Sequence, residues 1–137
     1  MNSMIQPDAN QYLKASAAET ADTNGTALDI GPLGLVDIAI VCTAGWATGT
    51  LALKFQQSDD DGSVDHYAHG ENEVASMPAT TGSAAGNTTA DAFGGVGMVR
   101  HIPAYITKNY LRYASTHEQA SGAVSKTYQI LVTSINR

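Results

Sequence analysis

The sequence predicts an all-β domain, an antiparallel β-sandwich or barrel with an extended N-terminal arm and one long loop. Three observations carry that prediction. Residues 50–58, TLALKFQQS, alternate cleanly, with Leu51, Leu53 and Phe55 on one face and Ala52, Lys54 and Gln56 on the other, which is the period of a half-buried strand. Residues 126–136, KTYQILVTSIN, form a second long alternating run one residue before the C-terminus. No stretch has the sustained apolar period of a long amphipathic helix, and Gly-rich turns separate short β-type runs, the pattern of a sandwich or barrel.

In chain order, residues 1–26 hold only a few separated apolar side chains with no sustained period of 3.6 or 2. They read as an arm ordered by what it lies against; residues 15–20 would support a helical turn, but one so short and uncapped is marginal alone. The domain proper is expected over residues 27–137. Ala27 to Ile30 form a short strand that stops at Gly31-Pro32, a turn signal. Residues 34–43 are a β-branched run dense enough for a central strand, and residues 44–49, AGWATG, read as a connection. After the alternating strand at 50–58, Asp61-Gly62 is a hairpin signal, because a type I′ turn needs positive φ at both central residues and this pair tolerates it. The aspartates Asp59 and Asp60 would then be solvated charges at the tip that discourage edge pairing. Residues 68–97 are rich in Gly, Ala, Thr and Ser and read as the long loop, with a short strand near Val74. Strand pattern returns at Val99 to Ile102 before Pro103, again at Tyr110 to Ala114, and after a turn at residues 118–122 in the closing run.

Size and composition narrow the function. A chain of 137 residues suits one domain with a core of its own. Only 15% of residues are charged, against about 25% in ordinary domains, so the surface is rich in Thr, Ser, Gly, Asn and Ala and suits packing against other protein. Seven basic residues scattered among thirteen acidic ones, a net charge of −6, argue against a nucleic-acid partner, which needs clustered Lys and Arg. Neither a secretory signal nor an apolar stretch of membrane-spanning length is read, so the expectation is a soluble protein with no membrane partner, made in a reducing cytoplasm. The single cysteine, Cys42, lies in an apolar run and reads as a small buried hydrophobe.

Tests for catalysis and metal binding fail one by one. Setting Gly62 at the sixth position of a calcium loop puts Gln57, Asp59 and Asp61 at the first, third and fifth, but Ala68 where the bidentate Glu belongs. On a strand, His66 and His69 would point to opposite faces, and no third ligand recurs at a zinc spacing. His101 and His117 read as polar strand-end residues. Gly82-Ser83-Ala84-Ala85-Gly86 lacks the arrangement of a nucleophile elbow, and Gly94-Gly95-Val96-Gly97 lacks the Lys and the helix of a phosphate loop. No catalytic residue, metal ligand or cofactor is assigned. Trp46, between Gly45 and Gly49, reads either as a core plug or as an interface anchor.

Three segments together resemble a known family. They are QYLKASAAETADTNGTALDIGP near the N-terminus, the hairpin TLALKFQQSDDDGS, and MVRHIPAYITKNYLRYAST followed by YQILVTSIN. In order and chain length they are similar to jelly-roll capsid decoration, or cement, proteins of tailed bacteriophages. The resemblance implies a jelly roll, a homotrimer, and binding to the major capsid protein on the outside of the head, hence a virion location after synthesis in the host cytoplasm.

The expected function is therefore structural and not enzymatic. The contact residues expected are Ile5, Tyr12 and Leu13 in the arm, Met77, Pro78 and Phe93 in the loop, and Trp46. An arm that orders on docking loses entropy but covers a large surface, and removal of residues 1–20 is expected to abolish docking and leave the domain folded. The rival readings are a tail, baseplate or glycan-binding spike module using Trp46, Tyr67 and Tyr105, and a metal-dependent β-barrel enzyme using His66, His69 and Glu71.

Overall fold

The computed structural model describes residues 10–44, 46, 49–81, 98–118 and 124–135. Its strands are β1 (Asn10–Glu19), β2 (Thr23–Asn24), β3 (Leu28–Asp29), β4 (Gly34–Ala44), β5 (Thr50–Ser58), β6 (Glu73–Thr81), β7 (Val99–Ile106), β8 (Tyr110–Glu118) and β9 (Lys126–Ser134), with a 3-10 turn at Gly70–Asn72 before β6. One sheet runs β1-β9-β4-β7 and the other β2-β8-β5-β6, with β3 also on β8. Every pairing is antiparallel. With β2 and β3 taken as one interrupted strand, the sheet orders are 1-8-3-6 and 2-7-4-5, and every chain connection crosses between the sheets except the one from the fourth strand to the fifth. That is a jelly roll, the eight-stranded double Greek key.

The core follows from the alternation. Val36, Ile38, Ile40 and Cys42 of β4 point inward, as do Tyr128, Ile130 and Val132 of β9, and they meet Leu51, Leu53 and Phe55 of β5 and Leu111 and Tyr113 of β8. Each large apolar side chain fully buried here contributes about 1.5–3 kcal/mol relative to exposure. Cys42 is a free thiol inside this layer, and burial pushes its thiol pKa up, as expected of a packing residue.

The structure departs from the sequence expectations at four places. Residues 10–24, assigned above to an arm, are the first strand and the start of the second: β1 pairs along β9 from Lys126↔Glu19 to Thr133↔Asn10. The Ala15 to Thr20 stretch is strand up to Glu19, without a helical turn. The expected loop 68–97 is regular as far as Thr81, because β6 extends on both sides of Val74; residues 82–97 lie outside the described residues. Pro103 does not end a strand but sits within β7, whose place at the sheet edge tolerates the missing N–H. Pro78 lies where the pairing of the edge strand β6 with β5 slips between Leu51 and Leu53, again an edge irregularity that accommodates proline.

Candidate functional site

The residues expected to make contacts divide sharply. Leu13, Trp46 and Met77 are buried in the core. Inward phase on the strand captures Leu13 and Met77, since an apolar side chain in a strand most often faces the core. Tyr12 and Pro78 are exposed. Ile5 and Phe93 lie outside the described residues.

Exposed apolar groups concentrate instead on the outer face of the β1-β9-β4-β7 sheet. Tyr12 is 54% exposed, Leu35 39%, Val99 45% and Tyr105 63%. One register row crosses the whole sheet: Tyr12 faces Leu131, Leu131 faces Ala39, and Ala39 faces His101. Leu35 and Tyr105 oppose each other, as do Val41 and Val99. Asp37 on this face is hydrogen-bonded to the His101 Nδ1 at 2.8 Å. Tyr12 and Tyr105 thus stand on the two edge strands of the face.

The loop from Asp59 to Asn72 is a braced structure, not a simple hairpin tip. Asp61 and Gly62 do have positive φ, 57° and 82°, as the Asp-Gly turn requires. Val64 to Tyr67, however, is not strand. Ser58 Oγ donates to the Asp65 carbonyl at 2.6 Å and accepts from the Gly62 amide at 2.8 Å. Asp60, expected to be merely solvated, accepts from the amides of Val64 and Asp65. Asp65 accepts from Lys108 Nζ at 2.8 Å, from Asn72 Nδ2 at 2.9 Å and from the Asp59 amide at 2.8 Å. The Lys108 hydrogen bond, with those from Asn72 and Asp59, holds the Asp65 carboxyl far below the usual carboxylate range. His66 and His69 do meet, edge to face with ring centroids 5.3 Å apart, but His66 Nδ1 is engaged by the Gly62 carbonyl. Among the described residues no three His, Cys, Asp or Glu side chains are grouped to hold a metal ion.

This bracing fixes Tyr67. Its hydroxyl donates to Asp61 Oδ1 at 2.8 Å, its ring would crowd a Cβ on Gly62 at 3.0 Å, and the Arg112 guanidinium lies 4.2 Å from the ring centroid. Burial, then the Asp61 hydrogen bond, pushes the Tyr67 phenol well above its ordinary pKa. Arg112 Nε in turn donates to Gln56 Oε1 at 3.0 Å.

A polar hub that sequence reading missed lies where β1, β8 and β9 converge. Glu19 Oε1 accepts from Tyr128 Oη at 2.6 Å, Ser115 Oγ at 2.7 Å and His117 Nε2 at 2.8 Å; Oε2 accepts from Tyr113 Oη at 2.8 Å. Beyond the imidazole, Lys126 Nζ stands 3.2 Å from His117 Nδ1, so the ring lies between the Lys126 amino group and the Glu19 carboxylate. Lys126 is 0% exposed, and burial pulls its pKa down against the attraction of Glu19. Lys14 Nζ lies 4.1 Å from the Tyr128 ring centroid and donates to the Tyr128 carbonyl at 2.9 Å. The one local signal was Lys126 itself, which shares the inward phase of Tyr128, Ile130 and Val132.

No protein-family model matches the chain, and no curated protein matches it in sequence. Among solved structures it is similar to a chain in the structure of infectious bursal disease virus, Gx strain, at TM-score 0.45 and 11% identity, over 90% of this chain and 32% of that one. It is also similar to a chain in the structure of the Gt strain, at TM-score 0.42 and 10% identity, over 92% of this chain and 32% of that one. The chain therefore spans about a third of the length of those chains. At these scores the likeness adds nothing to the fold, which rests on the strand order.

Proposed function

We propose that the chain is a structural component of a virus particle, a capsid decoration protein of the tailed-phage type that trimerises and binds the major capsid protein on the outside of the head. The observation that carries this reading is the outer face of the β1-β9-β4-β7 sheet, with Tyr12 and Tyr105 on opposite edge strands and Leu35 and Val99 also exposed. Exposed apolar side chains with tyrosine anchors are the signature of a protein contact, and a sheet face anchored at both edges suits bridging two neighbours. The low charge density, the jelly-roll order and the three resembling sequence segments support the same reading. Many copies on one shell would multiply individually weak contacts through effective concentration.

The test is a double charge substitution, Leu35→Asp with Tyr105→Glu, at exposed positions where the fold tolerates it. The purified wild-type chain is expected to sediment as a trimer and to co-sediment with shells of the major capsid protein of its own virus; the variant is expected to melt as the wild type does but to lose both properties. Wild-type protein that stays monomeric and passes the shells by, or a variant that still assembles and binds, would overturn the assignment.

A further inference from the structure

We propose that the outer face of the other sheet, β2-β8-β5-β6, carries a groove that binds a neutral saccharide, with Arg112 at its centre. Two depressions, of ≈ 510 and ≈ 420 Å³, adjoin there and share Ala68 and Arg112 in their walls. The first is walled by Asp61, His66 and Tyr67 of the braced loop, the second by Asp22 just before β2, by Asn24 of β2 and by Lys54 and Gln56 of β5. Neither wall belongs to the apolar face assigned above to protein contacts.

Arg112 is prepared for a ligand. Its guanidinium is stacked on Tyr67 and tied through Nε to Gln56, while its terminal amino groups donate to no described residue. A guanidinium so immobilised presents a fixed fork of donors at little further cost in conformational entropy. The brace explains itself on this reading: Asp60, Asp65, Asn72 and Lys108 fix the loop, Asp61 fixes Tyr67, and Tyr67 fixes Arg112.

The lining chooses among ligand classes. The walls hold Asp22 and Asp61 beside Lys54 and Arg112, and Lys54 Nζ lies 3.9 Å from Glu73, so they carry no excess of positive charge and offer acceptors beside donors. A saccharide hydroxyl both donates and accepts, and a ring bearing several of them matches such a lining. An extended peptide is disfavoured, because β8 is paired on both sides, with β2 and β3 on one and β5 on the other, and has no free backbone edge to offer. A polyanion would meet two carboxylates.

The test uses the intact chain on an array of neutral and acidic glycans, with any hit quantified by titration calorimetry. Binding to at least one neutral oligosaccharide is expected, weakened at least tenfold by Arg112→Ala and less by Arg112→Lys, which keeps the charge but not the fork. Asn24→Ala, an exposed change that spares the brace, is expected to weaken binding severalfold should Arg112→Ala fail to fold. Tyr105→Glu, on the opposite sheet, is expected to leave it unchanged. Absence of any glycan binding, binding confined to acidic glycans, or full affinity in a folded Arg112→Ala or Asn24→Ala variant would each overturn the proposal. None of these outcomes touches the virion reading, which is decided by sedimentation.

Discussion

A chain shortened by residues 1–20 is expected not to fold, whereas one shortened by residues 1–9 is expected to keep the sandwich. The sequence alone suggested the opposite for the longer deletion, because the segment looked like an arm. In the structure the cut at residue 20 removes all of β1, and β9 changes from an interior strand to an edge with its ladder to Asn10–Glu19 unpaired. Leu13 leaves the core, and loss of a buried leucine side chain typically costs about 2–5 kcal/mol. Glu19 leaves the polar hub, and stripping one partner from a buried ionic network costs about 3–5 kcal/mol. Together these reach the whole stability of an ordinary domain, about 5–15 kcal/mol, before the exposed edge invites aggregation. Near-UV circular dichroism and a urea titration decide the matter: a cooperative transition for residues 21–137 with the wild-type midpoint would show that β1 is dispensable.

The misreading of β1 has a physical cause. Strands β5 and β9 announce themselves because their inward phase is apolar and their outward phase is not. In NQYLKASAAE the inward-facing pair is Leu13 and Lys14, adjacent in sequence where the pairing with β9 slips, and the residues after them are Ala, Ser and Glu. No period of two survives such an irregularity, and weak β formers become strand only because the neighbour strand supplies the partner. The Asp-Gly turn was legible for the converse reason, since its signal is carried by two adjacent residues. What that turn supports was not, because Asp61, Tyr67, Arg112 and Gln56 come together only through the pairing of β5 with β8. Sequence alone picks contact residues as apolar side chains in segments without a periodic apolar face. That criterion selects inward-facing strand residues as readily as exposed ones, so it returned Leu13 and Met77 together with Tyr12, and it overlooked Leu35 and Val99 on the outward phase of strands that were correctly placed.

Replacing Glu19 is expected to have the largest effect of any single polar substitution. Four donors converge on its carboxylate from β8 and β9, and Glu19→Ala removes the acceptor they share and the carboxylate that attracts Lys126, a loss of about 3–5 kcal/mol. Glu19→Gln keeps one carbonyl oxygen for Tyr128, Ser115 and His117 and is expected to cost less, about 1–3 kcal/mol. The pH dependence separates charge from shape. Burial opposes the ionised form of Glu19, but the hydrogen bonds from Tyr128, Ser115, His117 and Tyr113 outweigh it and hold the carboxyl below its ordinary pKa of 4.5. A group depressed in the fold stabilises it above the unfolded pKa and loses that contribution as pH falls through the folded one. Stability should therefore fall below about pH 4.5, and the slope should be shallower in Glu19→Gln, where only the other depressed carboxylates such as Asp65 remain. At the alkaline end the sign reverses. Burial and the bond to Glu19 push the phenols of Tyr113 and Tyr128 above 10, so their contribution is complete below the unfolded tyrosine value and is lost as pH rises past about 10, where the unfolded chain ionises first. Urea midpoints measured across both limbs check this, and an acid limb unchanged in Glu19→Gln would mean that the ionised carboxylate does not hold β1 to β8 and β9.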